Sequence, residues 1–90
     1  MKKSTMQKLA LLDKAKCQHP DKMVLLYDGE GYYEMFGDDA QIVAGTTRVS
    51  IWKQCGVPYV RIGEHTLAHT FPRHFTKEQY IIIDITEQWL

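Results

Sequence analysis

The chain has 90 residues, with eleven Lys and Arg against eleven Asp and Glu, so its formal charge is zero; 44% of its positions are hydrophobic. A chain of this length buries a little more than ~60% of its unfolded surface, which limits it to one small domain spanning residues 1–90. Zero charge argues against tight non-specific binding to nucleic acid, which draws most of its affinity from phosphate neutralisation, and no run approaches the ~20 apolar residues of a membrane span.

Residues 5–18 place Met6, Leu9, Ala10, Leu12 and Ala15 in helical order, with Ser4 or Thr5 as N-cap. His19-Pro20-Asp21 stops this helix, because a residue before proline is pushed out of the helical region. MVLLY (23–27) reads as a buried strand with cover on both faces. Asp28-Gly29-Glu30-Gly31 is turn chemistry, or a bulge if the strand resumes in YYEMF. The next helix starts near residues 36–38, with Asp38 and Asp39 in its first turn, an apolar face of Ala40, Ile42, Val43 and Ala44, and Gly45 at its end. TTRVSIW (46–52) alternates and is rich in β-branched residues, so it reads as a strand, and VPYVRI (57–62) as its hairpin partner.

EHTLAHTFPRHF (64–75) is helical, with Leu67, Ala68, Phe71 and Phe75 on one face and a kink or break at Pro72. YIIIDI (80–85) is a final buried strand, followed by a tail that packs by Trp89. The order α-β-α-β-β-α-β predicts an α/β (α+β) fold, a mixed sheet flanked by helices. Cys17 and Cys55 lie too far apart in sequence to suggest a paired-thiol site, and Asp13, Lys14 and Lys16 interrupt the apolar run LALL, so the expectation is a cytoplasmic protein without an export signal.

Candidate chemistry is sparse. His65 and His69 are four apart on a helix, with His74 as a possible third metal ligand, but no Glu follows His65 as a metalloprotease motif requires. Cys17-x-His19 reads as a buried helix-end thiol beside a turn rather than a catalytic dyad. Asp28, Glu30, Glu34, Asp38 and Asp39 repel phosphate and lack the spacing of a calcium loop. No nucleophile, base and oxyanion set converges, which predicts no enzymatic activity and no cofactor.

One arrangement is sharper. In an extended YYEMF, Tyr32 and Glu34 share a side, an exposed aromatic about 7 Å from an exposed carboxylate. An aromatic can wedge between base steps where a mispair makes unstacking cheapest, and the carboxylate can accept, or when protonated donate, a hydrogen bond to the displaced base. The alternative for the same residues is a half-buried Tyr and a solvated Glu on a strand edge.

HPDKMVLLYDGEGYYEMFGDDA (19–40) resembles the opening of the N-terminal mismatch-recognition domain of the MutS DNA mismatch-repair family, with Tyr32-Tyr33-Glu34 where the family carries Phe-x-Glu. CGVPYVRIGEHTLAHTF (55–71) is similar to that domain's Gly-Ile-Pro-Tyr strand and following helix, matched by Gly56, Val57, Pro58 and Tyr59. The resemblance implies that Tyr32 inserts at a mismatch and Glu34 bonds the unstacked base. Tyr replaces Phe at the wedge, and Gly31 occupies the usual Asp position. No Walker motif is present, so the chain is not expected to bind or hydrolyse ATP.

Residues 1–22 carry six Lys against two Asp, whereas residues 28–39 carry five carboxylates and no base. Any phosphate contacts fall to Lys2, Lys3, Lys8, Lys14, Lys16 and Lys22, or to Arg48, Arg61 and Arg73. The expectation is therefore weak binding to mismatched or distorted double-stranded DNA. A second is an adaptor that kept the fold, lost the DNA role, and binds a repair or mobile-element protein.

Overall fold

The computed structural model describes residues 3–86. Helix α1 (Thr5–Gln18) begins at Ser4, whose hydroxyl accepts from the Gln7 N–H while the Gln7 side chain accepts from the Ser4 N–H, a complete capping box. Strand β1 (Met23–Tyr27) follows, and the open question at residues 28–36 resolves as a turn and a separate strand, β2 (Tyr32–Phe36). Helix α2 (Asp38–Thr47), strands β3 (Trp52–Gln54) and β4 (Val57–Gly63), helix α3 (Glu64–His69), two 3-10 turns (Phe71–Arg73 and Lys77–Gln79) and strand β5 (Tyr80–Asp84) complete it.

The sheet order is β3-β4-β2-β1-β5, with β1 and β5 parallel and every other neighbouring pair antiparallel, so the sheet is mixed as expected. Successive β1 side chains face opposite layers. Met23 and Leu25, with Met35, Val60 and Ile62, pack under Ala40 and Val43 of α2 and under Phe71 and Phe75. Val24 and Leu26, with Phe36 and Tyr59, pack under Leu11, Leu12 and Ala15 of α1. Each fully buried large side chain in these layers contributes about 1.5–3 kcal/mol. Among the described residues no helix is long and apolar enough to cross a membrane.

Several expectations are corrected. Residues 46 and 47 are helical, not extended: the Thr47 hydroxyl donates to the Val43 carbonyl at 2.7 Å, and Arg48 (φ 62°) caps α2 in the left-handed conformation. The helix thus runs past Gly45, and β3 shrinks to three residues. The hairpin to β4 turns on Cys55 and Gly56, both at positive φ, the pattern of a type I′ turn. Met6, Ala10, Ile42 and Ala68, assigned to apolar faces, are exposed. β5 is an edge strand rather than a buried one, with Ile82 44% exposed. Pro72 does break the third helical stretch, α3 giving way to a 3-10 turn. Trp89 lies outside the described residues.

Candidate functional site

The turn between β1 and β2 sets the approach to Tyr32. Asp28 Oδ1 accepts from the Glu30 N–H at 2.7 Å and from the Tyr32 N–H at 3.4 Å, an Asx-type turn. Gly29 and Gly31 both adopt positive φ. Tyr32 belongs to neither core cluster and is 40% exposed. Its neighbour across the strand pair is Gly63, which has no side chain to cover it. The Arg61 guanidinium instead lies over the ring, 4.3 Å from the centroid.

Glu34 is on the same face, directly opposite Arg61 in register. It is not the exposed carboxylate expected of it: only 3% of Glu34 is accessible. The reason is α1, in which Lys8, Leu11, Leu12 and Ala15 share one helical face. Leu11, Leu12 and Ala15 bury against Leu26, Phe36 and Tyr59, and Lys8 is carried over Glu34, donating to Oε1 at 2.9 Å and Oε2 at 2.8 Å. Burial of Tyr59 and, next, the charge of Glu34 beside it push the Tyr59 phenol up to about 12. Spacing within β2 shows that Tyr32 and Glu34 share a side, but not that a helix 26 residues upstream covers one of them.

Lys8, Glu34, Tyr59 and Arg61, together with Asp28 and Gln54, line a basin of about 670 Å³. A second buried carboxylate, Asp39, accepts from the Val24 N–H at 3.0 Å and pairs with Lys16 at 2.8 Å, while Lys16 also donates to the Lys22 carbonyl. Lys8 and Lys16 of the basic helix thus neutralise two of the five carboxylates in the acidic segment. Of the other expected phosphate contacts, Lys3 donates to the Ile85 carbonyl, Arg48 and Arg73 are exposed, and Lys2 lies outside the described residues.

The His65 and His69 rings stand 4.4 Å apart between centroids, but among the described residues no three His, Cys, Asp or Glu side chains converge on a metal position. Cys17 is exposed, which corrects its reading as a buried thiol, because the buried face of α1 turns through Ala15 and leaves Cys17 outward. The residues that reasoning from sequence did not join to the site are Lys8 as partner of Glu34 and Arg61 as partner of Tyr32. The helical spacing of Lys8 with Leu11 and Leu12 was the available signal for the first.

A family model described as MutS domain I matches residues 12–88. No curated protein matches the chain.

Proposed function

Since the chain belongs to the MutS domain I family, we propose that it is a cytoplasmic, non-enzymatic DNA-binding module that engages mispaired or distorted duplex DNA, with Tyr32 as a stacking wedge and Glu34, once Lys8 swings off its carboxylate, as the hydrogen-bonding group on its flank. The observation that carries this reading is the exposed Tyr32 ring at the start of β2, outside both core layers. Arg61 holds the ring in the free protein. When the ring enters a base step, that guanidinium is released toward the phosphate backbone, where a cation is most useful. Binding by this chain is weak, because Lys8 and Lys16 are already committed to Glu34 and Asp39.

Titration of labelled duplexes at low salt, one matched and one with a single mismatch, tests the reading. The mismatched duplex binds more tightly, and Tyr32→Ala reduces that preference about tenfold, the scale of one base–aromatic stack. Equal affinity for both duplexes, or no binding at micromolar protein, overturns it.

A second reading has its own observation. Ile51 and Trp52, 45% and 51% exposed, are consecutive residues at the start of the edge strand β3. An adaptor for a repair or mobile-element protein would use such a surface. Under this reading Tyr32→Ala leaves all binding unchanged, whereas Trp52→Ala abolishes partner capture.

A further inference from the structure

The two edges of the sheet are not alike. At one edge β3 offers three residues with Lys53 in the middle, and a short edge strand carrying a lysine resists the addition of another strand. At the other, β5 runs for five residues, YIIID, in unbroken register with β1, with no Lys, Arg, Pro or bulge to blunt it. Ile81 and Ile83 are only half-buried there, and Ile82 is exposed.

The Ile85 N–H donates to the Tyr27 carbonyl of β1 at 3.1 Å, and this fixes the direction of the backbone groups. The N–H and C=O of one strand residue point to the same edge, and that edge alternates along the chain. Ile81 and Ile83 therefore bond toward β1, whereas Tyr80, Ile82 and Asp84 aim their backbone groups away from the sheet. This outward set is symmetric about Ile82. A twofold axis through Ile82 and normal to the sheet sets Ile82 against Ile82 of a second copy, and Tyr80 of each copy against Asp84 of the other, all as hydrogen-bonded pairs.

The side chains suit the same register. On one face the two exposed Ile82 side chains meet at the axis, and on the other Ile81 packs against Ile83 of the second copy, both β-branched cross-strand pairs. Asp84 carries the one charge in β5, and the two copies of it stand about 14 Å apart, beyond the screening length of about 8 Å at physiological salt.

We propose that β5 pairs antiparallel with β5 of a second copy, joining two five-stranded sheets edge to edge. Both α1 helices then lie on one side of the joined sheet, so their lysines form a single layer. The pairing does not depend on the role of Tyr32. So small a contact gives a dissociation constant on the order of 100 μM.

Sedimentation equilibrium of the whole chain between about 10 μM and 1 mM, with amide hydrogen exchange at the same concentrations, tests the pairing. The average mass climbs from one chain toward two. Exchange at the Tyr80, Ile82 and Asp84 amides slows several-fold with concentration, while Ile81 and Ile83 are protected throughout. Ile82→Lys, which sets two ammonium groups opposite each other, weakens association about tenfold or more. Ile82→Pro removes the N–H at the axis without touching a bond to β1 and has the same effect.

A single-chain mass at the highest concentration overturns the proposal. So does a dimer that leaves exchange at Tyr80, Ile82 and Asp84 unchanged, or one that survives both variants. Protection of those three amides at every concentration shows an edge covered within the chain and overturns it too. The exchange pattern of the unaltered protein decides the matter even where a variant fails to fold.

Discussion

Lys8 of α1 holds both carboxylate oxygens of Glu34 in β2, at 2.9 and 2.8 Å, so the helix is pinned to the sheet through a buried ion pair next to the exposed Tyr32 ring. Removing one member of such a pair strands the other in a poorly solvated place. Lys8→Ala should therefore cost about 3 kcal/mol, the lower end of the range because the Lys8 side chain is still 15% exposed. Lys8→Met/Glu34→Met, which leaves no charge behind, should stay within about 1 kcal/mol of the parent. Urea denaturation of the three proteins measures both values, and equal stability of Lys8→Ala and the parent would sink the argument.

Asp39 joins three segments, through the Val24 N–H, Lys16 and its own place in the first turn of α2. Asp39→Ala leaves a buried N–H at the head of β1 without its acceptor and should lower stability by about 2–3 kcal/mol. Asp38, exposed in the same turn, offers only the helix-dipole contribution, so Asp38→Ala should cost about 0.5 kcal/mol. Thermal melts of the two single variants separate these outcomes.

The fold was legible wherever local chemistry and the tertiary environment agree. Ser4, the run MVLLY, the His19-Pro20 stop, Asp38-Asp39 and Pro72 each act through their immediate neighbours, and each does in the structure what its residue type implies. Residues 46–52 misled because β-branched Thr46, Thr47 and Val49 favour strands, while the actual geometry is decided by a Thr47 back-bond to Val43 and a left-handed cap at Arg48. The site was half legible for a similar reason. Period-two alternation aligns Tyr32 with Glu34, but burial of Glu34 depends on Lys8, far away in sequence, and the setting of Tyr32 depends on Arg61 from another strand.

Tyr59 makes stability depend on alkaline pH. Its phenol lies at about 12 in the folded protein against 10.0 for the ordinary group, so the fold favours the protonated form. Between those values the unfolded chain has lost that proton and the native state keeps it, which makes the slope of stability against pH negative. The contribution of Tyr59 is complete below pH 10 and is lost as pH rises toward about 12. Burial, then Glu64 and Tyr27, also raise Tyr33, which acts in the same direction. Denaturation midpoints collected between neutral and alkaline pH should be flat and then fall in that window, and Tyr59→Phe should reduce the fall.

Gly29 sits at φ +84° with the Thr86 methyl Cγ2 only 2.4 Å from where a Cβ would be. Gly29→Ala thus meets both backbone strain and a clash, and should cost about 2 kcal/mol or more. Gly31, at φ +91° with open space around it, meets the strain alone, so Gly31→Ala should cost about 1 kcal/mol. Thr86→Ser in the Gly29→Ala background should recover part of the loss, because it removes the clashing methyl. Absence of any recovery would count against the contact as its cause.

The parallel pairing of β1 with β5 has a consequence for the order of events in folding. β1 lies inside the sheet, yet one of its two partners is the last strand, and Lys3 at the start of α1 bonds the carbonyl of Ile85 just past that strand. Closing such long loops is entropically costly and is repaid only when the distant partner arrives. The β1–β2 and β3–β4 hairpins can form early as local units. The hydrogen-bonding edge of β1 that faces β5 stays open until Tyr80–Asp84 has been synthesised. During that interval the growing chain exposes MVLLY, its most apolar strand, as an unpaired edge.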